Sequence, residues 1–192
     1  MSAPILNAAN QLTLLRMGLA PLLVVLVLQR RMGWALATFV VAAVTDALDG
    51  LIARLGGQQT TLGAMLDPVA DKVLMTSSFI ALTWAGGLAV TIPMWLTVVI
   101  LSRDAIIIVS VAIVNLTVGR RIFYPSMLGK LSTVAQLVTI GLVLLANAAG
   151  RGGEWLAPVF AVTLALTVGS ALHYVYLTST RGPGRPPEEG QT

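Results

Sequence analysis

The chain has 192 residues, of which 56% are hydrophobic and only 10% charged, against roughly a quarter charged in an ordinary soluble domain, so its composition points to a bilayer as solvent. The absence of cysteine excludes disulfides and thiolate metal sites, and the single histidine, His173, excludes a multi-histidine metal centre. The formal net charge of +4 rests on Arg and Lys at the ends of apolar runs, which suits membrane topology and anionic lipid rather than nucleic acid.

Apolar stretches near the length of a bilayer span recur along the chain and predict six transmembrane helices in one all-α membrane domain over residues 1–180. The N-terminus lacks the basic start of a cleavable signal peptide, so the first apolar run is expected to remain as a span. Ser2 to Gln11 suggests a short interfacial helix before it. The first span runs from Leu12 to Leu28 and stops at Gln29-Arg30-Arg31; the second runs from Trp34 to Leu55 and is followed by a short turn at Gly56-Gly57-Gln58-Gln59. The third begins near Leu62 and ends at Gly86-Gly87, and the fourth runs from Pro93, a favoured first-turn residue, to Val118. The fifth covers Leu128 to Ala149, ended by Gly150-Arg151-Gly152-Gly153, and the sixth covers Trp155 to Leu177. The Pro- and Gly-rich tail, residues 181–192, reads as disordered. Trp34, Trp84, Trp95 and Trp155 lie near helix ends, as interfacial anchors do.

An even number of spans puts both termini on one side, together with Arg54, Arg120, Arg121, Lys130, Arg181 and Arg185; Arg30, Arg31 and Arg151 fall on the other. The excess places the termini in the cytoplasm of a multi-pass protein of the inner or cytoplasmic membrane.

The informative segment starts at Thr45-Asp46-Ala47-Leu48-Asp49-Gly50, continues through Ala53-Arg54, and resumes at Gly63 with Asp67 and Asp71-Lys72. Carboxylates are costly within apolar helices and need partners, so a functional site is the default reading. Asp46 and Asp49, three apart, share a face of the second helix; Gly63, Asp67 and Asp71, spaced by four, form one stripe on the third. A short turn packs these helices antiparallel, so the two acidic faces can meet. Four carboxylates at close range repel unless cations offset them. Hard oxygen ligands select Mg²⁺, Mn²⁺ or Ca²⁺ over zinc, and two ions about 4 Å apart would clamp a pyrophosphate. Gly50 and Gly63 leave room for a bulky ligand, and Arg54 offers a planar fork for phosphate.

The pattern D-x2-D-G-x2-A-R-x8-G-x3-D-x3-D, matched by Asp46, Asp49, Gly50, Ala53, Arg54, Gly63, Asp67 and Asp71, resembles that of the CDP-alcohol phosphatidyltransferase family. The likeness extends from Asn10-Gln11-Leu12-Thr13-Leu14-Leu15-Arg16 to the fifth helix. It implies a six-helix fold, usually homodimeric, with a polar cavity near the cytoplasmic face. Asp46, Asp49, Asp67 and Asp71 would hold two divalent cations, Mg²⁺ or Mn²⁺, and Asp71 would deprotonate the acceptor hydroxyl. Asp49, Gly50, Ala53, Arg54 and Gly63 would bind the CDP moiety of CDP-diacylglycerol. The hydroxyl would attack the lipid-side phosphorus, with CMP leaving.

Asp67-Pro68-Val69-Ala70-Asp71-Lys72 looks like the branch that makes phosphatidylglycerol phosphate and cardiolipin. Gly129-Lys130-Leu131-Ser132-Thr133 resembles the G-K-x-K-T of phosphatidylglycerophosphate synthases with Ser132 in place of the second lysine, whereas Ser102-Arg103-Asp104 and His173-Tyr174 look more like cardiolipin synthases. Ser110-Val111 stands where the glycerophosphate enzymes usually place a further Arg. A phosphomonoester dianion wants several cations; Arg103, Arg120 and Lys130 are the candidates here, helped by Arg121. Small proteins of this branch most often use glycerol-3-phosphate, which puts that acceptor first and phosphatidylglycerol close behind.

Simpler roles stand beside these. Lys72 is either a partner of Asp67 or Asp71 or a snorkelling residue. Arg103-Asp104 is either a local ion pair or part of an acceptor site. Arg120 and Arg121 fit topology charges, His173 a structural role, and Asn10, Thr13 and Arg16 capping of the first helix or substrate contact. An intramembrane prenyltransferase would lack the D-G-x2-A-R spacing, and a cation transporter would be expected to show repeated halves with midplane ligands. A purely structural membrane protein gives the carboxylates no purpose.

Overall fold

The structure is a computed structural model that describes the backbone of residues 8–56, 61–117 and 127–180, and the side chains of residues 15–46, 70–110 and 127–176. Within these residues the chain forms α1 (Ala8–Leu28), α2 (Met32–Gly56), α3 (Thr61–Trp84), α4 (Met94–Thr117), α5 (Met127–Ala148) and α6 (Ala157–Thr180), with one 3-10 turn at Glu154–Leu156 before α6. The six-helix expectation holds, with ends within a few residues of those read from the sequence. Gln11, expected in a separate interfacial helix, instead lies inside α1, which starts at Ala8 and runs without a break. No Gly or Pro interrupts residues 8–17, so nothing local divides that stretch. The 181–192 tail and the 57–60 turn lie outside the described residues.

Met127–Ala148 and Glu154–Tyr176 are long and apolar enough to span a membrane, and Leu15–Leu28 and Met32–Asp46 are shorter apolar stretches. The outward faces carry exposed Leu28, Val40, Val44, Ile106, Ile108, Val138 and Leu172. Helices with apolar outer faces and their backbone bonds satisfied internally suit hydrocarbon.

The main core fills one half of the bundle. Leu23 and Val27 of α1, Phe39 of α2, Phe79 and Leu82 of α3, Leu96 and Ile100 of α4, and Ile140 and Leu144 of α5 close it, with Phe160 of α6. Beyond its end, the connections are tied by the backbone. Arg30 ends α1 with φ 58°, where its amide and that of Arg31 bond back to the carbonyls of Val27 and Leu26. Gly150 repeats this device after α5 at φ 62°, a conformation that glycine adopts without the Cβ penalty. Asn147 ties the loop before α4 to α5: it accepts from the Val90 amide at 3.1 Å and donates to the Val90 carbonyl at 2.8 Å. Trp34, Trp84, Trp95 and Trp155 are all exposed at this same end, as a membrane-interface belt requires.

A second, smaller apolar cluster of Ala20, Ala42 and Leu74 joins α1, α2 and α3 further along the bundle. Two alanines there let the helices approach closely. One turn beyond it, on the side away from the tryptophans and near the middle of each helix, stand Arg16, Asp46 and Asp71.

A separate polar seam runs between α5 and α6. Ser132, Gln136 and Thr139 of α5 meet Thr163 and Thr167 of α6, all fully buried. Thr139 and Thr163 share a hydrogen bond at 2.7 Å, and Ser132 meets Thr167 at 3.2 Å. Such interhelical bonds are each worth about 0.6 kcal/mol in a membrane.

Candidate active site

Arg16 projects from α1 between α2 and α3 and is only 1% exposed. Its Nη1 donates to Asp71 Oδ1 at 2.6 Å, and its Nη2 lies 2.8 Å from Asp46 Oδ1. The first contact is a hydrogen-bonded ion pair. The second is a charge contact without hydrogen-bond alignment, and among the described residues neither Nη2 nor Nε makes a hydrogen bond. The two carboxylates are 45% and 40% exposed, so the pair opens outward while its counterion lies behind it. Thr45, beside Asp46, turns its hydroxyl back to the carbonyls of Val41 and Ala42.

Two of the four expected aspartates are thus brought together from different helices. Asp49, with Gly50, Ala53 and Arg54, follows Asp46 along α2, and Gly63 and Asp67 precede Asp71 along α3; the surroundings of these side chains lie outside the described residues. Among the described residues no group of three or more His, Cys, Asp or Glu comes together. The donor chemistry suits a hard cation: two carboxylates converge on one buried guanidinium, leaving one negative charge in excess before Asp49 and Asp67 are counted.

A second charged cluster lies alongside. Asp104 of α4, with a side chain 9% exposed, pairs with Lys72 of α3 and accepts from Arg103 Nη1 at 2.9 Å. Arg103 Nε in turn donates to Ser170 of α6 at 3.1 Å. Lys72, read from the sequence as a partner of Asp67 or Asp71 or as a snorkelling residue, pairs here with Asp104; the side chain of Asp67 lies outside the described residues. Adjacent helical positions diverge by about 100°, so Lys72 turns toward α4 while Asp71 faces α1. Arg103 is the local ion pair that one reading gave it, and it also bridges α4 to α6. Lys130 is exposed in the first turn of α5, and Arg120 lies outside the described residues. Ser132, where the glycerophosphate motif has a lysine, is buried in the α5–α6 seam.

Sequence reasoning did not foresee the role of Arg16. Its signals were a cation within an apolar run and its place in the family-like Asn10–Arg16 segment, which suggested helix capping or substrate contact rather than a tie between two motif aspartates.

The family model for CDP-alcohol phosphatidyltransferase matches residues 6–171. A probable phosphatidylglycerophosphate synthase of Mycobacterium tuberculosis is 38% identical, over 90% of this chain and 82% of its own. A cardiolipin synthase (CMP-forming) of Streptomyces coelicolor is 34% identical over 82% of this chain and 72% of its own, and one of Homo sapiens is 33% identical over 87% and 60%. Members of this family are membrane-associated and generally use divalent metal ions. With a matching model over most of its length and two motif aspartates brought together between α2 and α3, the chain belongs to the CDP-alcohol phosphatidyltransferase family, enzymes that transfer phosphatidyl groups.

Proposed function

We propose that the protein moves the phosphatidyl group of CDP-diacylglycerol onto glycerol-3-phosphate and releases CMP, acting as a phosphatidylglycerophosphate synthase. The observation that carries the reaction is the meeting of Asp46 of α2 and Asp71 of α3 on Arg16. Asp46, Asp49, Asp67 and Asp71 would hold two divalent cations, Mg²⁺ or Mn²⁺, which when bound supply charge stabilisation to the pyrophosphate and its leaving phosphate.

The remaining work falls to the protein. Asp49, Gly50, Ala53, Arg54 and Gly63 bind the CDP portion, with the glycines admitting it close to the backbone and Arg54 presenting its fork to phosphate. Asp71 takes the proton of the acceptor hydroxyl as its oxygen bonds to the lipid-side phosphorus. The bond from that phosphorus to the bridging oxygen breaks, and CMP departs with the electron pair. General-base help of this kind contributes about 10²–10⁴-fold. Arg103, Arg120 and Lys130 are the acceptor ligands of this reading. The protein acts as a homodimer in the inner or cytoplasmic membrane, with the site facing the cytoplasm.

Glycerol-3-phosphate is favoured by the 38% identity to a protein named for that activity and by Gly129-Lys130 at the start of α5. A second reading, cardiolipin synthase using phosphatidylglycerol, draws on different observations. Asp104 engages both Lys72 and Arg103, and Ser132 replaces a lysine, so fewer cations remain for a dianion. Purified protein given labelled CDP-diacylglycerol and a panel of acceptors separates them by the mass of the lipid formed. Phosphatidylglycerol phosphate is the expected product; cardiolipin alone would replace the first reading with the second.

A further inference from the structure

We infer that Arg16 is a positioning residue for the metal-binding carboxylates: it sets Asp46 and Asp71 at the spacing in which divalent cations find them. This rests on the metal reading above and adds to it a residue from α1, outside the acidic motif.

A buried guanidinium is costly unless carboxylates compensate it. Arg16 is buried at 1% exposure, and its described ionic partners are the two motif aspartates, one from each neighbouring helix. Among the described residues its Nε makes no hydrogen bond, so what seats the group is charge rather than a local cap. Separate nitrogens serve the two sides, Nη1 for Asp71 and Nη2 for Asp46. One planar group held to both sides keeps the two contacted oxygens near each other, by a hydrogen bond on the Asp71 side and by charge on the Asp46 side. Each contact uses Oδ1, and a carboxylate can serve a guanidinium through one oxygen and a metal through the other.

The surroundings keep Arg16 from moving aside. Ala20, Ala42 and Leu74 lie one turn from Arg16, Asp46 and Asp71 respectively, and these three pack together in a buried layer. That layer holds the register of α1 against α2 and α3 immediately behind the charges. Without the guanidinium the half-exposed carboxylates would repel and turn apart. Residues that orient metal ligands typically change metal affinity by 10–100-fold when lost.

The test is equilibrium Mn²⁺ binding to the purified full-length chain in detergent, read from the electron paramagnetic resonance signal of free Mn²⁺ without CDP-lipid. Arg16→Gln is expected to bind Mn²⁺ at least about 10-fold more weakly than wild type. Arg16→Lys, which keeps the charge and loses the fork, is expected to weaken binding too, and it carries the test if Arg16→Gln does not fold. Unchanged affinity in a variant that elutes as wild type would make Arg16 a packing residue and overturn the inference. Tighter binding would make it an electrostatic opponent of the metal, with the same consequence. No Mn²⁺ binding by the wild type would overturn the metal reading itself, and the inference with it.

Discussion

At the end that carries Trp34, Trp84, Trp95 and Trp155, the bundle is closed by backbone turns, apolar packing and the hydrogen bonds of Asn147. Farther toward the opposite end, near the middle of each helix, the helices are joined by charge: Arg16 with Asp46 and Asp71, and Asp104 with Lys72 and Arg103. The first arrangement asks little of any single residue, because many small contacts share the load. The second concentrates its energy in a few groups that hydrocarbon penalises when unpaired. That division suits an enzyme whose scaffold is set by one half and whose chemistry is done in the other.

Substitutions at the two ends should therefore separate function from folding. Asp71→Asn should lower CMP release from CDP-diacylglycerol per folded molecule by about 10²-fold or more, beyond the fall in unfolding midpoint expected when buried Arg16 loses one of its two carboxylates. Retained turnover would remove Asp71 as the base. Asp104→Ala leaves Lys72 and Arg103 without their shared carboxylate and should destabilise the protein by about 3 kcal/mol, seen as a lowered unfolding midpoint in detergent. An unchanged midpoint would mean that this cluster does not hold α3, α4 and α6 together. Asn147→Ala removes its bonds to the Val90 backbone and to the Val143 carbonyl, and should cost about 1–2 kcal/mol with turnover per folded molecule unchanged. A loss of turnover beyond the loss of folded protein would show that the two ends are coupled.

Much of the fold was legible because apolar runs of bilayer length, punctuated by Gly, Pro and Arg, leave few other architectures. The approach of Asp46 to Asp71 was legible from the acidic spacing and the short turn expected between α2 and α3. The partnership of Arg16 was not, because nothing in one sequence says which face of α1 meets α2 and α3. The Lys72–Asp104 pair was hidden for a related reason, since it depends on which face of α3 meets α4. The buried seam of Ser132, Gln136 and Thr139 with Thr163 and Thr167 has helical periodicity on both strips, yet hydroxyls in apolar helices read as ordinary packing until the two strips are seen face to face. The acceptor is the least legible feature, since it depends on where a few cations end up after internal pairing.

The most direct test of a metal-dependent acidic site is CMP release from CDP-diacylglycerol by purified protein stripped of divalent ions and then titrated with Mg²⁺ or Mn²⁺. The predicted result is no turnover after chelation and recovery on adding either ion. Full activity in the chelated protein would contradict the account.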